Sequence, residues 1–117
     1  MSRRDLTGAV DFSVLDQTVA GDQAIADEVL GLFQQQAQMW RPLLSSDNEG
    51  WRDAVHTLRG AALGIGARDL GGACELAEAA DDMTAAARID RVVTALDGAL
   101  ADVAAWRHEL MLRGLKG

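Results

Sequence analysis

The residues equipped for chemistry converge on one pentapeptide, HTLRG at 56–60. It holds one of the chain's two histidines, with Arg59 and Gly60 following at three and four residues' distance and Arg52 standing four before. On a helix, positions separated by three and four residues share one flank. With guanidinium groups on the turns before and after it, the ring is expected to be neutral and to offer a nitrogen lone pair as nucleophile. The Arg59 fork can balance charge on a phosphoryl group attached to that nitrogen. A glycine inside a helix costs about 0.5–1 kcal/mol relative to alanine, so Gly60 beside the histidine points to clearance for an approaching surface.

The other reactive side chains lack such a setting. Cys74 has no CxxC partner and falls on an apolar helix face, which predicts a small packing residue. His108 stands beside Trp106 and Arg107 without a motif and is expected to be solvated or to serve a helix end. Gly64-x-Gly66 has Asp69 where a dinucleotide loop needs its last glycine, no strand precedes it and no Walker Lys-Ser/Thr follows. No HExxH or CxxC spacing suggests a metal. Asp81-Asp82 reads as a pair of solvated helix-end residues.

Helices must position HTLRG, because no segment alternates with period two. A short helix over 11–19 is expected, with Asp11 as N-cap and Val14, Leu15 and Val19 inward. After Gly21-Asp22, residues Ile25, Val29, Leu32, Phe33, Gln36, Trp40, Leu43 and Leu44 recur at helical spacing, with Pro42 bending or trimming the last turn. Ser46-x-x-Glu49 reads as a capping box that opens a third helix, whose inward stripe is Trp51, Val55, Leu58, Ala62 and Ile65; Gly64 and Gly66 end it. A fourth helix covers roughly 67–80 with Leu70, Ala73, Cys74, Ala77 and Ala80. A long fifth, capped by Thr84, carries Ile89, Val93, Leu96, Leu100, Val103, Trp106 and Leu110. The stripes predict an all-α fold: an antiparallel four-helix bundle with an additional short N-terminal helix. Residues 1–10 read as a flexible tail and 11–117 as one domain.

Composition narrows the function classes. A net charge of −7 and a pI near 4.6 argue against nucleic-acid binding, which needs clustered Lys and Arg. The single cysteine fits a reducing compartment, and the absence of a leader or a long apolar run predicts a cytoplasmic protein without membrane contact.

The string H-x-L-R-G followed by A-A-L-G-I-G-A, residues 56–67, resembles the signature of histidine-containing phosphotransfer (HPt) domains, which commonly run H-x-L-K-G, then small residues, then an apolar residue and Gly-Ala. Leu70 and the segment Cys74-Glu75-Leu76-Ala77-Glu78 resemble the family's next helix. The likeness extends more loosely over residues 14–112. It implies a four-helix bundle whose exposed histidine takes a phosphoryl group from a receiver-domain aspartate and passes it to another receiver. By this resemblance His56 is the phosphoacceptor, Arg59 replaces the usual lysine, Gly60 gives clearance and Glu78 orients His56. Ala61-Ala62 stand where many members carry Ser-Ser.

The partners so implied are response-regulator receivers and a hybrid histidine kinase, met by a monomer. A docking surface of Arg52, Leu63, Leu32, Gln35, Gln36 and Arg68 is expected around His56. The chain brings no cofactor of its own and no ATP site, so it reads as a phosphocarrier and not an enzyme; Mg²⁺ belongs to the receiver. Two rival readings stand beside this one. The phosphoacceptor region of a histidine kinase typically has an acidic residue after its histidine, where this chain has Thr57. A helical docking module would bind a response regulator or kinase without being phosphorylated.

Overall fold

The computed structural model describes residues 8–116, with side chains through residue 114. Five α-helices follow one another: α1 (Phe12–Thr18), α2 (Gln23–Trp40), α3 (Trp51–Ile65), α4 (Arg68–Glu78) and α5 (Ala85–Lys116). No strand occurs among the described residues. Helix α2 packs on α3 and α5, α3 on α4, and α4 on α5, so these four close a ring, while α1 lies against α2 and α3.

Local chemistry explains the boundaries. Asp11 accepts the Ser13 N–H at 3.1 Å and caps α1. Asp22 accepts the Ala24 and Ile25 N–H groups and caps α2, after Ala20 and Gly21 have turned the chain through positive φ. Pro42 stops α2 at Trp40 and sits in a short 3₁₀ helix, Arg41–Leu43, because its ring cannot continue an α-helical ladder. Asp81 accepts the Met83 and Thr84 N–H groups and gives its own N–H to Thr84 Oγ1, so a reciprocal Asp81–Thr84 turn precedes α5.

The expected Ser46–Glu49 capping box does not form. Asn48 Oδ1 instead takes the Gly50 N–H at 2.8 Å, and Gly50 is the N-cap of α3 without a side-chain bond. Asn48 wins because an Asx turn satisfies the backbone locally, two residues on.

All five residues of the stripe expected on α3 are buried, joined by Ala54. On α2 the buried residues are Ala26, Leu30, Phe33 and Ala37, a stripe rotated away from the larger Ile25 and Leu32, which stay exposed. Alanines at 26 and 37 permit close helix approach, and Leu30 and Phe33 fill the centre. On α5 Val92 and Ala99 are buried, whereas Val93, Leu100 and Trp106 are half-buried at its edge. Each fully buried Leu of this core, such as Leu58 or Leu96, contributes about 1.5–3 kcal/mol.

Polar and aromatic links fix the helices laterally. Arg107 on α5 grips Asp27 through two hydrogen bonds, 2.7 and 3.2 Å, and donates to Gln34 at 2.6 Å. Arg41 pairs with Asp97 through two bonds of 3.0 Å. Phe12 stacks on Trp106 with ring centroids 4.7 Å apart, seating α1 on α5.

Residues 1–7 of the expected tail lie outside the described residues. Val10, also assigned to the tail, is buried, and its N–H reaches the fully buried Asp102 at 3.3 Å. Among the described residues no helix is long and apolar enough to cross a membrane.

Candidate functional site

Burying the α3 stripe turns the opposite flank of that helix outward, and His56 lies on it with its side chain 76% exposed. Three side chains from this flank, at i, i+4 and i+7, converge on Glu78, the last residue of α4. Arg52 Nη1 donates to the Glu78 main-chain oxygen at 2.9 Å. His56 Nδ1 lies 2.6 Å from Glu78 Oε1. Arg59 Nη1 donates to Glu78 Oε2 at 2.9 Å.

The protonation pattern follows from Glu78. Partial burial works to raise its carboxyl, but hydrogen bonds from His56 and Arg59, reinforced by their charges, outweigh it and hold Glu78 below the usual carboxylate range. An ionised carboxylate only accepts hydrogen bonds, so the hydrogen of this pair sits on Nδ1. A neutral His56 then carries its lone pair on Nε2, the same division of labour by which a carboxylate fixes the tautomer of a catalytic histidine.

Arg52 does not flank the ring as the spacing suggests. Its guanidinium lies over the Trp51 ring, 4.4 Å from the centroid, and donates to Glu78 O and, at 2.7 Å, to Ala80 O. The charge nearest His56 is therefore a carboxylate with a guanidinium behind it.

A Cβ built on Gly60 meets nothing within 4 Å, and the same holds for Gly64. No packing demand of this chain explains either glycine, and His56, Gly60 and Gly64 follow at intervals of four along α3. Gly64 is therefore more than the helix terminator that its closeness to Gly66 suggests; the four-residue interval from Gly60 is the signal for it in the sequence. Gly60→Ala is expected to stabilise the isolated protein by about 0.5–1 kcal/mol in urea unfolding while slowing any reaction at His56 about tenfold. Equal rates in a stabilised variant would remove the clearance role.

The remaining residues of the expected docking surface are scattered. Leu63, 55% exposed, lies seven residues beyond His56 and leans toward Gly71 on α4. Leu32, Gln35 and Gln36 are exposed on α2; Leu32 and Gln35 line a shallow depression with Gly31 and Arg107. None of these has a hydrogen bond to the His56 cluster among the described residues. Arg68 opens α4 beyond the end of α3, which runs on for about 14 Å past His56, and lies 3.9 Å from Asp11 Oδ2.

Cys74, one turn before Glu78, is buried. Burial first, and the Glu78 charge second, push its thiol up to about 12, so it packs as a neutral side chain. Among the described residues no group of three or more His, Cys, Asp or Glu side chains is placed to hold a metal ion.

Glu78 also gives the site an acid limit. Its lowered carboxyl stabilises the fold above the ordinary glutamate range and loses that contribution as pH falls through the lowered value. The stability difference between wild type and Glu78→Gln, measured by urea midpoints, is expected to be present near neutrality and to fade as pH drops below the ordinary glutamate range and through the lowered carboxyl. A pH-independent difference would contradict the ion pairing described.

The chain is similar to a solved structure, the histidine phosphotransferase ShpA from Caulobacter crescentus. The two are 51% identical, the match covers 92% of this chain and 99% of that one, and the TM-score is 0.83. No protein-family model and no curated protein matches the sequence.

Proposed function

This chain belongs to the histidine-containing phosphotransfer family, and from that premise we propose that it is the carrier step of a two-component phosphorelay. His56 Nε2 attacks the phosphorus of a receiver's aspartyl phosphate. The N–P bond forms as the P–O bond to the receiver breaks, and the aspartate leaves as a carboxylate. Donation to a second receiver is the same exchange in reverse. The observation that carries this reading is the exposed imidazole whose Nδ1 is held by Glu78 while Arg59 grips the other carboxylate oxygen.

Each member of the cluster has a task in that exchange. Positive charge builds on the imidazole as Nε2 bonds to phosphorus, and the Glu78 carboxylate at Nδ1 offsets it. Arg59 uses Nη1 on Glu78, and its other guanidinium nitrogens can turn to the phosphoryl oxygens. Gly60 lets the receiver's active-site surface approach α3.

We read the ring of α2 to α5 as the family's antiparallel four-helix bundle and the chain as a monomeric, cytoplasmic phosphocarrier without an ATP site. Receiver domains and a hybrid histidine kinase are the proposed partners, and Mg²⁺ sits on the receiver. Arg52 and Arg68 already serve acceptors within the chain, so docking falls to Leu63 on α3 and to Leu32, Gln35 and Gln36 on α2.

The test is transfer of label from phosphorylated receivers to the purified chain. Acid-labile, alkali-stable label on the chain supports the relay. A panel of receivers that binds but transfers nothing would leave a docking module as the better account.

A further inference from the structure

Arg52 is tied to Glu78 more closely than a surface arginine needs to be. Glu78 is the last residue of α4, and helix ends fray because their final carbonyls lack intrahelical partners. Arg52 reaches across from α3 and donates to two carbonyls there, Glu78 O and Ala80 O, with its guanidinium seated on Trp51, itself nearly buried. The carboxylate that carries the His56 Nδ1 hydrogen bond thus grows from a main chain pinned by the residue one helical turn before His56.

Resting on the phosphotransfer reading, we propose that Arg52 is a positioning residue for the reaction: by fixing the end of α4 it keeps Glu78 on Nδ1, and so keeps Nε2 as the nitrogen that meets phosphorus. Without it the last turn of α4 loosens, the 2.6 Å contact lengthens, and the exposed ring is free to rotate and to exchange tautomers. Arg59 remains on the other oxygen, so the carboxylate stays ionised but is no longer aimed. A guanidinium suits the task because its planar fork spans two carbonyls, where an ammonium would serve as a point donor.

The experiment uses the full chain labelled with ¹⁵N as wild type, Arg52→Ala and Arg52→Lys. It compares the His56 ring tautomer by long-range ¹⁵N–¹H spectra in mildly alkaline buffer, receiver affinity, and the initial rate of label transfer. Wild type is expected to hold a single Nδ1–H tautomer. Arg52→Ala should show a mixture with Nε2–H and transfer about tenfold more slowly at unchanged receiver affinity. Arg52→Lys should recover part of both, since one carbonyl stays within reach of its ammonium. An unchanged tautomer in Arg52→Ala overturns the proposal: with unchanged rate Arg52 is only a helix-end cap, and with weakened affinity it is a docking contact. Should no receiver label even the wild type, the phosphotransfer reading fails, while the tautomer comparison still decides whether Arg52 governs His56. Arg52 is exposed, so its variants are expected to fold, and retained helical ellipticity verifies this.

Discussion

Replacing His56 with alanine is expected to abolish label transfer, by a factor beyond about 10³, while leaving the unfolding free energy within about 0.5 kcal/mol of wild type. The split between a total functional loss and a negligible stability change follows from position. The side chain is 76% exposed and lies off the buried stripe of α3, so its removal opens no cavity. Glu78 loses one donor but keeps Arg59 on its other oxygen and solvent beside it. Among the described residues no second nucleophile stands ready: Cys74 is buried with its thiol pushed up to about 12, and His108 belongs to α5, outside the Glu78 cluster. His56→Gln sharpens the test, because its amide can still donate toward Glu78 yet has no nitrogen able to form a phosphoramidate of comparable reactivity. Transfer to His56→Gln at more than a few per cent of the wild-type rate would move the acceptor elsewhere.

How far this site could be read from the sequence depends on the distance over which each feature is encoded. The flank that carries His56, Arg59 and Gly60 lies on one helix, and the stripe 51, 55, 58, 62, 65 fixes that helix's rotation, so periodicity placed it. Glu78 is 22 residues away on another helix, and only the family resemblance connected it with His56. The second task of Arg52 was hidden for a related reason. Its spacing to His56 was visible, but the carbonyls that draw it away belong to the end of α4, and main-chain acceptors leave no trace in residue types.

The misread parts of the fold have their own causes. On α2, Ile25 and Leu32 drew the apolar stripe toward themselves, whereas small Ala26 and Ala37 occupy the core because the neighbouring helices come close there. The Ser46–Glu49 pattern was a legitimate capping box that lost to the shorter-range Asn48 turn. Asp102 on α5 is fully buried and receives the Val10 N–H, so a tertiary contact 92 residues away secures the end of a segment whose lack of periodicity reads as a tail.

The second large effect is one of stability, and it falls on Gly66, the C-cap of α3. Gly66→Ala is expected to destabilise the protein by about 3 kcal/mol and to lower the thermal midpoint by about 10 °C or more. Gly66 caps α3 at φ +85°, a left-handed conformation that costs an L-residue about 1–2 kcal/mol. A Cβ there would also run into the Asp11 carbonyl oxygen and stand 3.1 Å from Val14 Cβ. Neither neighbour can yield cheaply, since Asp11 N–H is bonded to Gly66 O at 2.9 Å and Asp11 caps α1. The α1–α3 junction must therefore open or the cap must unwind. Gly60→Ala is the internal control: the same methyl on the same helix, placed where it meets nothing, carries the opposite expected sign. One alanine should thus cost the fold and spare the chemistry as long as the chain stays folded, while the other should favour the fold and hinder the chemistry. Chemical denaturation of both variants beside the transfer assay reads this contrast directly. A Gly66→Ala variant as stable as wild type would show that Asp11 and the end of α3 do not meet as described, and with that the rotation of α3 that presents His56 would lose one of its moorings.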